Sequence, residues 1–290
     1  MGSLTSEEIR HAVQLALAED VGSGDVTTLA TVPEAATAIA TMKAREPLVA
    51  AGLAFAEMVF AQMAFRESSP AIKFDRPVAD GQFVIAGQTL LRVEGSARAI
   101  LTAERVALNF VQRLSGVATL TAQFVAAIQG TRAKILDTRK TTPGWRRFEK
   151  YAVTCGGGKN HRVGLHDMVL IKDNHLAALR HELPNAIAAA VQRARAQYPR
   201  LKIEVEADTL EQVGQGLAAG ADFILLDNMS LEELRLAVKQ VAGRAQTEAS
   251  GGVNLATVRA IAETGVDFIS VGALTHSARA VDIGLDFEEF

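Results

Sequence analysis

Residues 137–175 concentrate positive charge beside glycines and threonines. They hold eight lysines and arginines against four acidic residues, a local charge of +4 in a chain whose net charge is −3. An anion site uses glycine because backbone N–H groups must come close to the ligand, whereas a solvated basic face has no such need. The stretch therefore predicts an anion site, with a solvated basic face as the alternative. Its basic residues are Arg139, Lys140, Arg146, Arg147, Lys150, Lys159, Arg162 and Lys172.

Six short apolar segments in the second half of the chain each end in polar residues or glycine. Helix-length segments separate most of them, which predicts repeated β–α units and a parallel sheet with helices outside. An α/β barrel, complete or incomplete, and an open doubly wound sheet all fit the spacing. The barrel is favoured because it gathers the carboxyl ends of its strands at one mouth. These ends carry Asp137, Lys172, Asp173, Glu206, Asp227, Ser250, Gly251, Gly252 and Gly272.

Two kinds of charged group are expected at this mouth. Several cations together indicate a ligand with several negative charges, since arginine and lysine bind carboxylate and phosphate. Acids beside them indicate Mg²⁺ or a sugar, and glycines after the last two strands favour phosphate. The pattern predicts a phosphorylated sugar with an anionic co-substrate. The alternatives are that the acids form structural ion pairs and that the glycines only make a tight turn. The cations are Arg139, Lys140, His161, Arg162 and Lys172, and the acids are Glu206 and Asp227.

Composition excludes several classes of protein. With 290 residues, 49% hydrophobic and 22% charged, the chain is expected to be a soluble globular protein of one or two domains. A net charge of −3 argues against a nucleic-acid partner. No segment approaches the ~18 apolar residues of a membrane helix, so no membrane partner is expected. Cys155 is the single cysteine, which rules out an internal disulfide and fits the cytoplasm.

The first half of the chain predicts a different kind of domain. Thr5 or Ser6 is expected to cap a first helix, residues 37–52 alternate like a strand, and a series of short strands follows in residues 71–95. A long helix is predicted over roughly residues 98–128. The pair Ser115-Gly116 suggests a break within it.

Several of these segments resemble the quinolinate phosphoribosyltransferase family. They are GDVTT, AERVALNFVQRLSGVAT, DTRKTTPGWRRFEKYAV, GGGKNHRVGL, LIKDNH, IEVEADTL, LLDN, ASGGV and ISVGALTH, in order over nearly the whole chain. The resemblance implies an N-terminal α/β sandwich domain at 1–113, joined by 277–290, and an incomplete parallel α/β barrel at 114–276. Both belong to the α/β class.

The resemblance also implies a reaction. Phosphoribosyl passes from 5-phosphoribosyl-1-pyrophosphate to quinolinate with loss of CO₂, giving nicotinate mononucleotide and pyrophosphate for NAD biosynthesis. Enzymes of this family use Mg²⁺ and form homodimers or higher homo-oligomers with shared active sites. A same-fold paralogue acting on another anion and a non-catalytic phosphosugar-binding module are the alternatives.

Roles for individual residues follow from the resemblance. The quinolinate carboxylates are expected to bind Arg139, Lys140, His161, Arg162 and Lys172, with Arg105 delivered by a partner subunit. Glu206 and Asp227 are expected to hold the ribose hydroxyls and Mg²⁺, directly or through water. The phosphate is expected at Ser250, Gly251, Gly252 and Gly272, with His276 beside it. The catalytic set is Lys140, Lys172, Glu206 and Asp227.

Overall fold

The computed structural model describes residues 4–288, and its contacts divide the chain into two compact units. Unit 1 comprises the described residues through Ala122, the segment Arg147–Gly157 and the described residues from Ala278 onward. Unit 2 comprises Gln123–Arg146 and Gly158–Ser277. The domain boundaries predicted near 113 and 277 stay a prediction, and the outermost residues of that prediction, 1–3 and 289–290, lie outside the described part.

Helices and strands alternate along most of the chain. In chain order the helices are α1 (Ser6–Val21), α2 (Val26–Thr31), α3 (Leu53–Arg66), α4 (Ala97–Ala127), α5 (Arg146–Cys155), α6 (Asp173–Ala177), α7 (Ala186–Gln197), α8 (Leu210–Ala219), α9 (Leu231–Val241), α10 (Val258–Ala262) and α11 (Ala273–His276). The strands are β1 (Thr37–Ala44), β2 (Leu48–Val49), β3 (Lys73–Asp75), β4 (Phe83–Val84), β5 (Thr89–Ser96), β6 (Lys134–Leu136), β7 (Val169–Ile171), β8 (Ile203–Ala207), β9 (Phe223–Asp227), β10 (Gln246–Ser250), β11 (Phe268–Ser270) and β12 (Ile283–Phe287).

Unit 1 is built on an antiparallel sheet with the strand order β12-β1-β5-β3. Strand β12 comes from the far end of the chain, and its Ile283 pairs with Ala44 of β1. Strands β2 and β4 form a separate antiparallel pair. Side chains of α3 and α4 supply much of the core, where the rings of Phe55 and Phe110 stack with centroids 4.9 Å apart.

The start of α1 agrees with the sequence prediction. Thr5 caps the helix, since its hydroxyl accepts a hydrogen bond from the backbone N–H of Glu8 and the Glu8 carboxylate accepts from that of Thr5. This reciprocal capping box satisfies two N–H groups that have no partner inside a helix.

The break predicted near Ser115-Gly116 is wrong, because α4 runs without interruption from Ala97 to Ala127. Gly116 serves a close approach instead: a β-carbon there would lie 2.0 Å from the carbonyl oxygen of Arg279. Ser115 also has a packing role, since its hydroxyl accepts from the backbone N–H of Ala51 and donates to the carbonyl of the same residue.

Unit 2 is built on a six-stranded parallel sheet with the order β6-β11-β10-β9-β8-β7. Each strand from β7 to β11 lies beside the next one in the chain, so the sheet winds in one direction. A doubly wound sheet would reverse. No ladder joins β6 to β7 among the described strands, and the sheet stays open there. This winding fits the predicted incomplete barrel, and the α/β class is confirmed.

Asn185, Thr209 and Ser230 precede helices α7, α8 and α9 as N-caps, and their side chains accept hydrogen bonds from backbone N–H groups of the first turn. The strands between them are largely buried, as expected when helices cover the outer face of a parallel sheet. Within residues 4–288, no helix has the length and apolarity required to cross a membrane.

Candidate active site

A cavity of about 590 Å³ opens at the carboxyl ends of the unit 2 strands. Such ends gather side chains from several strands at one place, which is why barrel enzymes have their active sites there. The lining residues are Asp137, Thr138, Arg139, Lys140, His161, Arg162, Leu170, Lys172, Glu206, Leu225, Asp227, Asn228, Glu248, Ser250, Gly251, Gly252 and Ser270. Ten of the thirteen predicted site residues are among them.

Asp137 organises the segment that returns from the triple glycine. Its fully buried carboxylate accepts a hydrogen bond from the Asn160 side chain at 2.6 Å and one from the backbone N–H of His161 at 2.9 Å. The Leu136–Lys159 bridge adds a backbone link just before. Residues 159–162 are therefore held against the end of β6.

Three cations of the cavity wall make no salt bridge in the part of the chain that the structure describes: Arg139, Lys140 and Arg162. The Nε atom of Arg139 is buried without a hydrogen-bond partner. Burial and the neighbouring Arg139 charge lower the pKa of Arg162. The Thr275 hydroxyl fixes the backbone of Lys140, since it donates to the Lys140 carbonyl oxygen at 2.7 Å. Unpaired positive charge in a concave site favours anion binding.

Two acids face these cations from adjacent strands, Glu206 at the end of β8 and Asp227 at the end of β9. Lys172 forms an ion pair with Glu206. Asp227 accepts a hydrogen bond from the side chain of Asn228 at 2.7 Å. Carboxylate oxygens are the ligands that Mg²⁺ prefers, and this cation is usually held by one or two carboxylates together with substrate phosphates. The donor set of Glu206 and Asp227 fits that requirement.

The turn after β10 exposes backbone at the cavity. Gly251 has a φ of 101°, and a β-carbon there would lie 2.1 Å from the side-chain oxygen of Asn228. Gly252 also has a positive φ, of 58°, and no heavy atom would lie within 4 Å of an added β-carbon. Gly251 is needed because any side chain there would collide with Asn228, whereas the space beside Gly252 is open. Such a turn lets a ligand come close to its N–H groups.

Two family models together cover most of the chain. The model described as quinolinate phosphoribosyl transferase, N-terminal domain, matches residues 25–115, and the C-terminal domain model matches residues 117–286. The chain belongs to the quinolinate phosphoribosyltransferase family. The resemblance read from the sequence motifs is confirmed.

Curated relatives and solved structures agree with this assignment. A nicotinate-nucleotide pyrophosphorylase [carboxylating] of Mycobacterium leprae is 46% identical over 96% of this chain and 96% of its own length. The nicotinate-nucleotide pyrophosphorylase structure from Francisella tularensis has a TM-score of 0.91 at 40% identity, covering 99% of this chain and 98% of that one. NadC from Streptococcus pyogenes has a TM-score of 0.91 at 40% identity, with both chains covered completely. The present member of the quinolinate phosphoribosyltransferase family is therefore an enzyme of the phosphoribosyltransferase class.

Three residues that the family resemblance singles out do not line the cavity. Gly272 and His276 lie next to the Lys140 side chain, because a β-carbon on Gly272 would be 3.1 Å from the His276 Nε2 atom and 3.1 Å from Lys140 Cδ. Arg105 is an exposed residue of α4 in unit 1. The structure thus groups Gly272 and His276 with Lys140.

Two buried acids of the site were missed by the sequence reasoning: Glu204 of β8 and Glu248 of β10. The Nε2 atom of His161 lies 2.9 Å from Glu204 and 3.5 Å from Glu248. Burial raises the pKa of both carboxyl groups, to about 7 for Glu204 and to about 8 for Glu248. Strand alternation was the available signal, since Glu204 shares a face with Glu206 two residues on.

Proposed function

We propose that the chain catalyses phosphoribosyl transfer from 5-phosphoribosyl-1-pyrophosphate to quinolinate, with decarboxylation to nicotinate mononucleotide, in the cavity of unit 2. One observation supports the location: four cations and the strand-end acids Glu206 and Asp227 line a single cavity beside a glycine turn. A dicarboxylate and a phosphorylated sugar need these groups together. The reaction serves NAD biosynthesis.

Quinolinate would bind through its two carboxylates to the cations of the cavity wall. Arg139 and Arg162 offer planar guanidinium groups that match a carboxylate with two hydrogen bonds, and Lys140 and Lys172 add point charges. Because Arg139, Lys140 and Arg162 have no acidic partner of their own among the described residues, an incoming carboxylate would displace no ion pair from these three.

The phosphoribosyl donor would lie toward β8, β9 and β10. The ribose hydroxyls would donate hydrogen bonds to Glu206 and Asp227, whose carboxylates end adjacent strands. The 5-phosphate would accept hydrogen bonds from the backbone of Ser250, Gly251 and Gly252, and Gly272 with His276 would complete its surroundings. This arrangement leaves C1 of the ribose between the acids and the cationic wall.

Transfer then needs no general base, since the pyridine nitrogen of quinolinate carries its own lone pair. The nitrogen–C1 bond forms as the bond from C1 to the pyrophosphate oxygen breaks, and the electrons leave with pyrophosphate. Positive charge that develops on the ribose is stabilised by the Glu206 and Asp227 carboxylates. Positioning and electrostatics supply the rate enhancement.

Decarboxylation follows from the product of the first step. The alkylated ring nitrogen is positively charged and withdraws electrons from the adjacent C2 carbon. The bond from C2 to its carboxylate breaks, CO₂ leaves, and C2 keeps the electron pair until it takes up a proton. The 2-carboxylate should therefore contact fewer cations than the 3-carboxylate, because cations that stabilise its negative charge would oppose its loss as neutral CO₂.

We propose Mg²⁺ as the cofactor, held by Glu206 and Asp227 directly or through water. When bound, the ion would neutralise charge on the departing pyrophosphate. The two residues also face Lys172 and Asn228, which keep the carboxylates oriented. Activity that persists unchanged after complete chelation of divalent ions would contradict this cofactor.

The deciding experiment is an assay of the purified protein with quinolinate, 5-phosphoribosyl-1-pyrophosphate and Mg²⁺, with nicotinate as the parallel substrate. Nicotinate mononucleotide and CO₂ are expected from quinolinate, and no product from nicotinate. If the folded protein makes no product from quinolinate, a panel of other aromatic acids should be tested for pyrophosphate release. Product from one of them would identify a paralogue.

A homodimer or higher homo-oligomer with shared sites is also proposed, because the family resemblance implies that Arg105 is delivered by a partner subunit, and Arg105 is exposed. In this arrangement Arg105 of one subunit would complete the carboxylate pocket of another. Arg105→Ala and Lys140→Ala subunits, each expected to have strongly reduced activity alone, should regain part of the activity when mixed. Absence of recovery after demonstrated subunit exchange would argue against shared sites.

A cytoplasmic location is proposed as well. Its support is cysteine usage, since the only cysteine, Cys155, is a free thiol. Fractionation of cells that express the natural protein would test it. Recovery in an oxidising compartment would contradict it.

A further inference from the structure

His161 uses both of its ring nitrogens within the protein. Its Nδ1 atom accepts a hydrogen bond from the backbone N–H of Arg162 at 2.8 Å. Its Nε2 atom lies 2.9 Å from an oxygen of Glu204. A backbone N–H is only ever a donor, so Nδ1 must present its lone pair and carries no proton. A neutral imidazole has one proton, which therefore belongs to Nε2 and points at Glu204.

Glu204 can accept this proton in a hydrogen bond in either of its protonation states. The Glu204 side chain is fully buried, whereas His161 keeps 10% of its side chain exposed. The contact requires only an oxygen, which a carboxyl group offers whether or not it is ionised. Glu248 lies behind at 3.5 Å from the same Nε2 atom, and it offers a second oxygen of the same kind. The buried carboxyl groups of Glu204 and Glu248 therefore favour the tautomer of His161 that has its proton on Nε2.

We propose that Glu204 is a positioning residue that acts through His161 on the backbone of Arg162, one of the cations of the carboxylate pocket. The His161 Nε2–H donates to Glu204, and His161 Nδ1 accepts from the Arg162 backbone N–H. They fix the backbone from which the Arg162 guanidinium extends. The expected changes in KM rest on the proposed function, whereas the tautomer of the His161 ring can be tested without it.

This assignment changes the charge of the pocket. An imidazole locked as the Nε2–H tautomer is neutral, so His161 supports the pocket without adding a positive charge to it. The positive charge for two carboxylates then comes from Arg139, Lys140, Arg162 and Lys172. Asp137 reinforces the same segment from the other side, since it accepts the backbone N–H of His161.

The first test observes the ring directly and requires no substrate. Protein with ¹⁵N-labelled histidine gives six ring systems, and His161→Asn identifies the relevant one by its loss. A proton bonded to Nε2 and none on Nδ1 is expected. Protons on both nitrogens, or a proton on Nδ1 alone, would overturn the proposal. Resonances that move on chelation would also overturn it, because a metal ion would then occupy Nε2 between His161, Glu204 and Glu248.

The second test separates the two ring nitrogens with matched variants. Asparagine at position 161 places an oxygen near the Nδ1 position and keeps an acceptor for the Arg162 N–H. Glutamine reaches the Nε2 position and loses that acceptor. The quinolinate KM is expected to rise at least ~10-fold more in His161→Gln than in His161→Asn, with kcat changed less than KM. Equal losses in both would mean that His161 acts on the substrate itself.

A pair at Glu204 completes the test. Glu204→Gln keeps an oxygen acceptor for the Nε2 proton, so quinolinate KM should stay within ~3-fold of the wild type, whereas Glu204→Leu should raise it at least ~10-fold. The ¹⁵N spectrum should keep the Nε2–H form in the first variant only. Should Glu204→Leu not fold, the His161 pair and the spectrum of Glu204→Gln still decide. A wild type that makes no product but shows the expected tautomer would reject the proposed function and leave this inference standing.

Discussion

The two main sheets differ in how many of their charged residues are paired. At the antiparallel sheet of unit 1 they are exposed and paired across strands, as in Lys73 with Glu94 at 2.7 Å and Arg92 with Glu288 at 3.2 Å. At the carboxyl ends of the unit 2 strands, Arg139 and Arg162 form no salt bridge in the described chain, and Glu204 is buried. Paired surface charges satisfy one another and contribute little stability. Unpaired cations in a concave site favour the binding of an anion.

The largest effect is expected from removing those unpaired cations. Lys140→Ala and Arg162→Ala should each lower kcat/KM for quinolinate at least ~10-fold, since each would remove a proposed charge-assisted contact to a carboxylate. Steady-state kinetics with varied quinolinate would measure this. Lys73→Ala, which removes a paired lysine of unit 1, is the matched control and should leave kcat/KM unchanged. Wild-type kinetics in both pocket variants would refute the contrast.

Substitution of Gly251 in the turn after β10 should have nearly as large an effect, but on the KM for 5-phosphoribosyl-1-pyrophosphate rather than for quinolinate. Gly251→Ala places a β-carbon against Asn228, which also orients Asp227, so the KM for 5-phosphoribosyl-1-pyrophosphate should rise ~10-fold or more. Gly243→Ala is the control, because it shares a positive φ but has open space around the added carbon. If both variants raise this KM alike, backbone strain rather than the contact is responsible.

Buried acids of unit 2 should make stability depend on pH. Burial raises the pKa of Glu248 to about 8, above its ordinary value near 4.5, so the folded protein binds more protons than the unfolded chain between these limits. Stability contributed by Glu248 therefore falls as pH rises from about 5 to 8. Glu248→Gln carries no such charge, so its melting temperature relative to wild type should rise by a few degrees over this range.

The control for this prediction is a carboxylate whose pKa moves the other way. Arg147 and the Thr5 cap hold the pKa of Glu8 in unit 1 down to about 2, so Glu8 is ionised from pH 5 to 8. Glu8→Gln should then show a constant difference from wild type across that range. A difference that changes equally in both variants would mean that Glu248 is not the group responsible.

The smallest effect is expected from the exposed pairs of unit 1. Lys73→Ala should shift the melting temperature by less than ~2 °C, because an exposed ion pair gains little in high dielectric and is screened by salt. Thermal unfolding at low and high ionic strength would measure it. A large loss of stability that salt does not reduce would show that this pair is structural after all.

Periodicity and strand ends predicted much of this molecule. The six strands of unit 2 were expected from short apolar segments separated by helices, and the cap at Thr5 from its residue types. Gly116 was misread because close backbone packing and helix breaking use the same residue, and only the position of Arg279 distinguishes them. No local pattern records such a long-range contact.

The site was predicted less evenly. The charged residues at strand ends could be found because they directly follow apolar segments, at the point of the repeat where a barrel has its active site. Glu204 and Glu248 were overlooked because each lies within a strand, and the burial of its side chain depends on contacts between strands that the sequence does not record. His161 was counted among the cations from its type alone. Its two ring contacts, which argue for a neutral ring, come from Glu204 and the Arg162 backbone.

The pairing of β1 with β12 has a consequence for how the chain is made. Roughly 240 residues separate these two strands, which are neighbours in one sheet. At about 5–20 residues per second, synthesis leaves β1 without that neighbour for about 12–50 s. During this interval the nascent chain presents an unpaired strand edge that another chain can join. Slow translation of the second half should therefore favour aggregation, and release of β12 from the ribosome should end that exposure.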